Sequence, residues 1–169
     1  MNTGQMLLTI GAMILLSTLI LRVNNNFAGN TATVYDSKFA ILATSVGASV
    51  IEEAMGKAFD ENTASGPASQ FSDLTAPNKL GPDGSESYPN FNDFDDYNGY
   101  TKVDSTMPSA VFDIQCTVCY VYPDNPNVAA NTATWTKKIS VIVYADKNST
   151  SLMTDTVRLS SLFSYWVFN

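Results

Sequence analysis

Histidine is absent from the 169-residue chain, and with it the side chain most used as a general base, a metal ligand or a member of a hydrolytic triad. Cysteine occurs only twice, at Cys116 and Cys119. Charge is sparse: 15 % of residues are Asp, Glu, Lys or Arg, and the net charge is −7 at pH 7. Nine Lys and Arg residues in so acidic a chain do not make the clustered positive surface that phosphate binding needs, so nucleic acid is excluded as an expected partner. No nucleophile motif stands out, and the expectation is a protein that is not an enzyme and carries no cofactor. No charged side chain precedes Arg22.

That uncharged beginning holds the most informative segment. From Met6 to Leu21 the run is predominantly apolar, with Met6, Leu7, Leu8, Ile10, Met13, Ile14, Leu15, Leu16, Leu19, Ile20 and Leu21 as its large side chains. Sixteen residues rise only ~24 Å as a helix, against ~30 Å for a bilayer core. Including Met1 to Gln5 makes a crossing with slight membrane thinning feasible. A secretory signal peptide needs a basic start and a small-residue cleavage point. Met1-Asn2-Thr3-Gly4 has no Lys or Arg, and Leu21-Arg22-Val23-Asn24-Asn25-Asn26 has no Ala-x-Ala-like site, so the helix is expected to be retained.

The pattern then divides the chain into an anchor or assembly helix (1–23), an Asn-rich hinge (24–35), an amphipathic helix (36–60), a long surface loop (61–109) and a β-meander (110–169). Asn24 to Thr33 is weak in helix propensity and is expected to bend or unwind. Asp36 reads as an N-cap, after which Phe39, Leu42, Ala43, Val46, Val50 and Ala54 recur at steps of three and four. This helix is expected to reach about Phe59, with Glu52, Glu53 and Lys57 toward solvent and a stop near Gly66-Pro67. One long rod interrupted at the Asn-rich stretch fits the same pattern. The following Gly-, Pro-, Ser-, Asn- and Asp-rich segment has no sustained period, but Phe71, Leu74, Tyr88, Phe91, Phe94, Tyr97 and Tyr100 give it anchors against the fold.

Alternation by two marks three strands: Ala110 to Tyr122, where Phe112, Ile114, Cys116, Val118, Tyr120 and Tyr122 share one face, closed by Pro123-Asp124-Asn125-Pro126; Trp135, Lys137, Ile139, Val141, Val143 and Ala145, followed by a turn at Asp146 to Ser149; and Val157, Leu159, Ser161, Phe163, Tyr165 and Val167. An antiparallel meander needs cover on its apolar face, and the amphipathic helix is long enough to give it. The expected fold is α+β, with a long N-terminal hydrophobic helix packed through its amphipathic half on a small antiparallel sheet.

Other motifs carry weaker signals. Cys116 and Cys119 lie three apart in a strand and so point to opposite faces, which disfavours a disulfide between them; core packing with one outward thiol is expected. Asp93, Asp95, Asp96 and Asn98 offer clustered oxygens of the kind Ca²⁺ prefers, but their spacing fails the EF-hand pattern, and turn hydrogen bonding accounts for the same residues. Asn148-Ser149-Thr150 is a glycosylation sequon.

An apolar N-terminal helix, an amphipathic continuation, a long loop and an antiparallel meander together resemble a type IV pilin or pilin-like subunit of bacteria. The segment Asp93-Phe94-Asp95-Asp96-Tyr97-Asn98-Gly99-Tyr100 is similar to a loop of some bacterial pilin-like proteins. The resemblance implies a leader ending in Gly, which places Gly4 at the processing point and Gln5 as the first mature residue; alternatively Met1 is the mature start and Gln5 stands where the family has Glu. Either way no carboxylate is available to pair with the N-terminal amine of a neighbouring subunit.

The resemblance implies a homopolymer of identical subunits, handed from the membrane to the filament by an assembly machinery: inner-membrane anchored first, then an extracellular filament on the cell surface. Small residues Gly11, Ala12, Ser17 and Thr18 suit close helix contact. The competing readings are a minor pilin or pseudopilin of a secretion system, and a membrane-tethered binding module whose site is the loop before the meander.

Overall fold

The computed structural model describes residues 2–107, 110–145 and 156–166. Met1, the sequon at Asn148, the turn at Asp146 to Ser149, and Val167 lie outside the described residues. The chain divides into two compact units, Met1–Phe39 and Ala40–Asn169.

Helix α1 covers Thr3–Met55 without a break. The expected hinge at 24–35 is therefore helical, and Asp36 lies within the helix and does not cap it. Poor helix formers cost at most about 1 kcal/mol each relative to Ala, whereas splitting the rod would add a second unfavourable nucleation and two more frayed ends. The Thr hydroxyls of the stretch also bond back along the helix: Thr31 Oγ1 donates to the Phe27 carbonyl at 2.9 Å and Thr33 Oγ1 to that of Gly29 at 3.1 Å.

The helix ends at Met55, short of the expected Phe59 and well before Gly66-Pro67. The Gly56 N–H is shared between the carbonyls of Glu52 and Glu53, which tightens the last turn. Phe59 then turns inward to join a cluster with Ala68, Leu74, Tyr120 and Ala130, and Asp60 caps the short helix α2 (Glu61–Ala64). Burying Phe59 gains more than one further turn of exposed helix would.

Among the described residues five antiparallel strands follow: β1 (Thr101–Asp104), β2 (Phe112–Tyr122), β3 (Asn125–Ala129), β4 (Thr136–Ala145) and β5 (Thr156–Ser164). The sheet runs β1-β2-β4-β5, with β3 folded onto the end of β2. The expected three-strand meander is thus β2, β4 and β5, with two strands added. β1 lies in the segment read as loop, where four residues of mixed polarity give no period to detect. β3 contains Pro126 and sits at the edge, where a missing N–H removes no interior ladder bond.

Register lines up the buried face: Ile114 opposite Val143, Cys116 opposite Val141, Val118 opposite Ile139 and Tyr120 opposite Lys137. Within the second unit, Ala43, Val46, Val50 and Ala54 of α1 are buried. At Gly47 the helix lies close against the sheet: an added Cβ would fall 2.6 Å from Leu159 Cδ1 and 3.3 Å from Val143 Cγ2. The segment between α1 and β1 carries three 3-10 turns and packs inward through Leu74, Phe91, Phe94 and Tyr97, while Phe71 remains exposed.

Candidate functional site

Two features stand out, one in each unit. In the first, the large side chains from Met6 to Leu21 are all exposed, Leu7, Leu8 and Leu15 at 72 %, 75 % and 72 %. At ~100° per residue, consecutive apolar positions such as Met6, Leu7 and Leu8, then Met13, Ile14, Leu15 and Leu16, point in every direction around the axis. There is no polar face on which such a helix would lie at a membrane surface, and water is a poor solvent for it from any side. It is long and apolar enough to cross a membrane, by length and composition.

Two of the three hydroxyl side chains inside this run, those of Thr9 and Thr18, are turned back on the helix itself. Thr9 Oγ1 donates to the carbonyls of Gln5 and Met6 at 3.0 and 2.8 Å, and Thr18 Oγ1 to that of Leu15 at 2.9 Å. Such bonds let a hydroxyl enter an apolar medium without an unmet donor. At Gly4 and Gly11 nothing lies within 4 Å of where a Cβ would sit, so neither glycine is required by a contact within the chain. Gln5 lies in the first turn, its N–H donating to the Asn2 carbonyl at 2.9 Å.

In the second unit, the acidic segment folds around a cation. Lys137, on the inward face of β4, is fully buried, as is Asp60. Lys137 Nζ donates to Asp60 Oδ2 at 2.8 Å, to the Phe59 carbonyl at 2.8 Å and to Asp95 Oδ1, so all three ammonium hydrogens are used. The rings of Phe59 and Tyr120 face the same ammonium at 4.6 and 5.1 Å. Asp60 Oδ1 in turn accepts from Thr75 Oγ1 at 3.0 Å and the Thr75 N–H at 3.1 Å, and Asp60 Oδ2 from the Tyr120 hydroxyl at 3.0 Å.

The four residues raised as calcium candidates lie in one turn, but their oxygens face different partners. Asp95 pairs with Lys137. Asp93 Oδ1 accepts from the Asp95 and Asp96 N–H groups at 2.7 and 3.1 Å, and Asp96 Oδ2 from those of Asn92 and Asp93 at 2.9 and 3.2 Å. Asn98 bridges outward, donating to the Leu80 carbonyl at 2.9 Å and accepting from the Val118 N–H at 3.0 Å. Among the described residues no group of three or more His, Cys, Asp or Glu side chains is arranged to hold a metal ion.

Burial and the neighbouring Asp95 and Asp96 charges push the Asp93 carboxyl up to about 8. Burial also raises Asp95, against the opposing pull of Lys137. For Asp60, burial acts upward but is outweighed by Lys137 and the Thr75 hydrogen bonds, which leave it below the ordinary carboxylate range.

Cys116 is buried, and burial pushes its thiol up to about 12; Cys119 is half-buried, and both are free. The sequence pattern does not single out Lys137 and Asp60 as site residues. The available signal was a lysine in the inward phase of an otherwise apolar alternation.

No protein family, curated protein or solved structure matches this chain.

Proposed function

We propose that this chain is a structural subunit of an extracellular type IV pilus-like filament, assembled by packing of its N-terminal hydrophobic helices in the filament core. The observation that carries the reading is the helix from Met6 to Leu21, apolar on every side, with its large side chains exposed. Each large apolar side chain transferred from water is worth about 1.5–3 kcal/mol, so this surface requires either lipid or other helices around it. Before assembly the helix rests in the membrane with its backbone satisfied internally. In the filament, identical helices replace lipid, and Gly11 leaves room for a neighbour to approach closely. A repeated head-to-tail contact with a rotation that does not close gives a helical polymer of one kind of subunit.

Gln5 favours a second reading. It offers only neutral hydrogen bonds where a carboxylate would make stronger charge-assisted ones, which suits a minor pilin or a pseudopilin that terminates or shortens a fibre. Electron microscopy of material sheared from cells, with mass spectrometry of its N-terminus, separates the two. Long uniform fibres built of this chain support the shaft subunit, and the terminal mass identifies Met1 or Gln5 as the first residue. The chain found solely in membranes, with no fibres, overturns it.

A further inference from the structure

The core of the second unit encloses an amine that the filament reading does not use. Lys137 Nζ is shut off from solvent, touches the carboxyls of both Asp60 and Asp95, and lies against the faces of Phe59 and Tyr120. We propose that Lys137 and Asp95 condense to an intramolecular isopeptide bond, with Asp60 as the proton acceptor of the reaction.

Three conditions for uncatalysed-looking amide formation meet here. The first is proximity: the fold holds the amine nitrogen in contact with an oxygen of the carboxyl it would attack, and such fixed geometry replaces a bimolecular encounter with effective concentrations of about 10⁵ M or more. The second is protonation state. Asp60, Asp93 and Asp95 are each at most 2 % exposed and share one cation, so they cannot all be ionised in this interior. The directions of titration divide the roles: Asp95 is raised toward the neutral acid, whose hydroxyl can leave, while Asp60 is lowered and stays a carboxylate able to take a proton. The third is exclusion of water. In solution the separate ions are favoured by hydration; in this interior the ion pair bears a desolvation penalty that a neutral amide does not.

The step balances within the cluster. A proton passes from the Lys137 ammonium to the Asp95 carboxylate across their hydrogen bond, leaving a free amine and a carboxylic acid. The Nζ lone pair adds to Asp95 Cγ, and Asp60 removes a proton from the nitrogen as the C–N bond forms. Asp60 then returns that proton to the departing hydroxyl, the C–O bond breaks, and water leaves. One amide forms, one water is released, Asp60 is regenerated, and no oxidant, reductant or activated co-reactant is required. The bond would join the 3-10 turn Asp95–Tyr97 to β4 across 42 positions of sequence, fastening the long segment before the sheet to its centre.

The test is mass spectrometry of the full chain, purified from cells in detergent, with peptide mapping. The expected result is a mass lower by one water, about 18 Da, than its own N-terminus and sequence require, and a branched peptide pair joining Lys137 to Asp95. Lys137→Met restores the full mass. Asp60→Asn keeps the size of the side chain but cannot take the proton, and slows bond formation by about 100-fold or more while near-ultraviolet circular dichroism stays that of the native fold. A folded wild-type chain at full mass overturns the proposal, and so does a branch joining Lys137 to Asp60. The readout is independent of whether the chain forms filaments.

Discussion

The Tyr120 hydroxyl donates to Asp60 Oδ2 at 3.0 Å, joining two fully buried side chains sixty positions apart in sequence. The same hydroxyl reaches the Thr75 carbonyl at 2.9 Å, so one phenol on β2 meets the segment that follows α1 at two points fifteen residues apart. A carboxylate survives burial here because every lone pair has a donor: Lys137, Thr75, Asn62 and Tyr120 surround it.

Tyr120→Phe removes that donor and leaves its shape. The expected loss is about 1–3 kcal/mol of stability, the penalty for a buried acceptor left short of a partner, with no change in fold. Chemical denaturation of the full chain in detergent, followed by tryptophan fluorescence, measures it. An unchanged midpoint would mean that the hydroxyl contributes nothing to holding Asp60.

Gly47 sets the distance between α1 and the sheet. Gly47→Leu drives a side chain into Leu159 and Val143 and is expected to destabilise by about 1–3 kcal/mol, the usual range for overpacking. Leu159→Ala in the same chain opens space for it and should recover part of the loss, so the pair is non-additive. Additive effects in a double-mutant cycle would show that the helix does not rest on β5 at this point.

The pH dependence follows from Asp93. Its carboxyl is raised to about 8 in the folded chain from an ordinary 3.8, chiefly by burial. Between these values the folded state keeps a proton that the unfolded state has released, so stability decreases as pH rises through this window. Asp60 acts in the opposite sense: held low, it stabilises above 3.8, and that contribution is lost as pH falls through its folded value. The melting temperature should therefore be highest in the mildly acidic range and decline toward pH 8. Asp93→Asn should flatten that decline. A melting temperature that rises from pH 5 to pH 8 would contradict the assignment.

The parts legible in sequence were those with a strong period. Alternation located β2, β4 and β5 and placed Ile114, Cys116, Val141 and Val143 on the face now seen buried. It also put Lys137 in the inward phase, yet nothing local says that Asp60 and Asp95, far away in sequence, supply its counter-charges. Local propensity underrates the continuity of a helix once nucleated: three Asn in a row predict a hinge, and the helix runs through them. β1 and β3 escaped because short edge strands with Asp, Lys and Pro carry no hydrophobic period, their pairing being decided by β2 beside them.

Leu15 lies near the middle of the apolar run and is 72 % exposed in the single chain. If helices of neighbouring subunits cover it, Leu15→Asp places an unpaired carboxylate inside that bundle, where an uncompensated buried charge costs several kcal/mol per subunit and recurs at every repeat. In lipid the same change costs about 2.5–3.5 kcal/mol at the centre of a crossing helix, which most of the remaining apolar run offsets. The expected phenotype is loss of sheared fibres with the chain still recovered from membranes, and with the second unit's near-ultraviolet circular dichroism unchanged because Leu15 belongs to the first unit. A conservative Leu15→Ile control should leave fibres intact. Normal filaments from Leu15→Asp would mean that this helix face is not buried in any polymer, and that the exposed run serves the membrane alone.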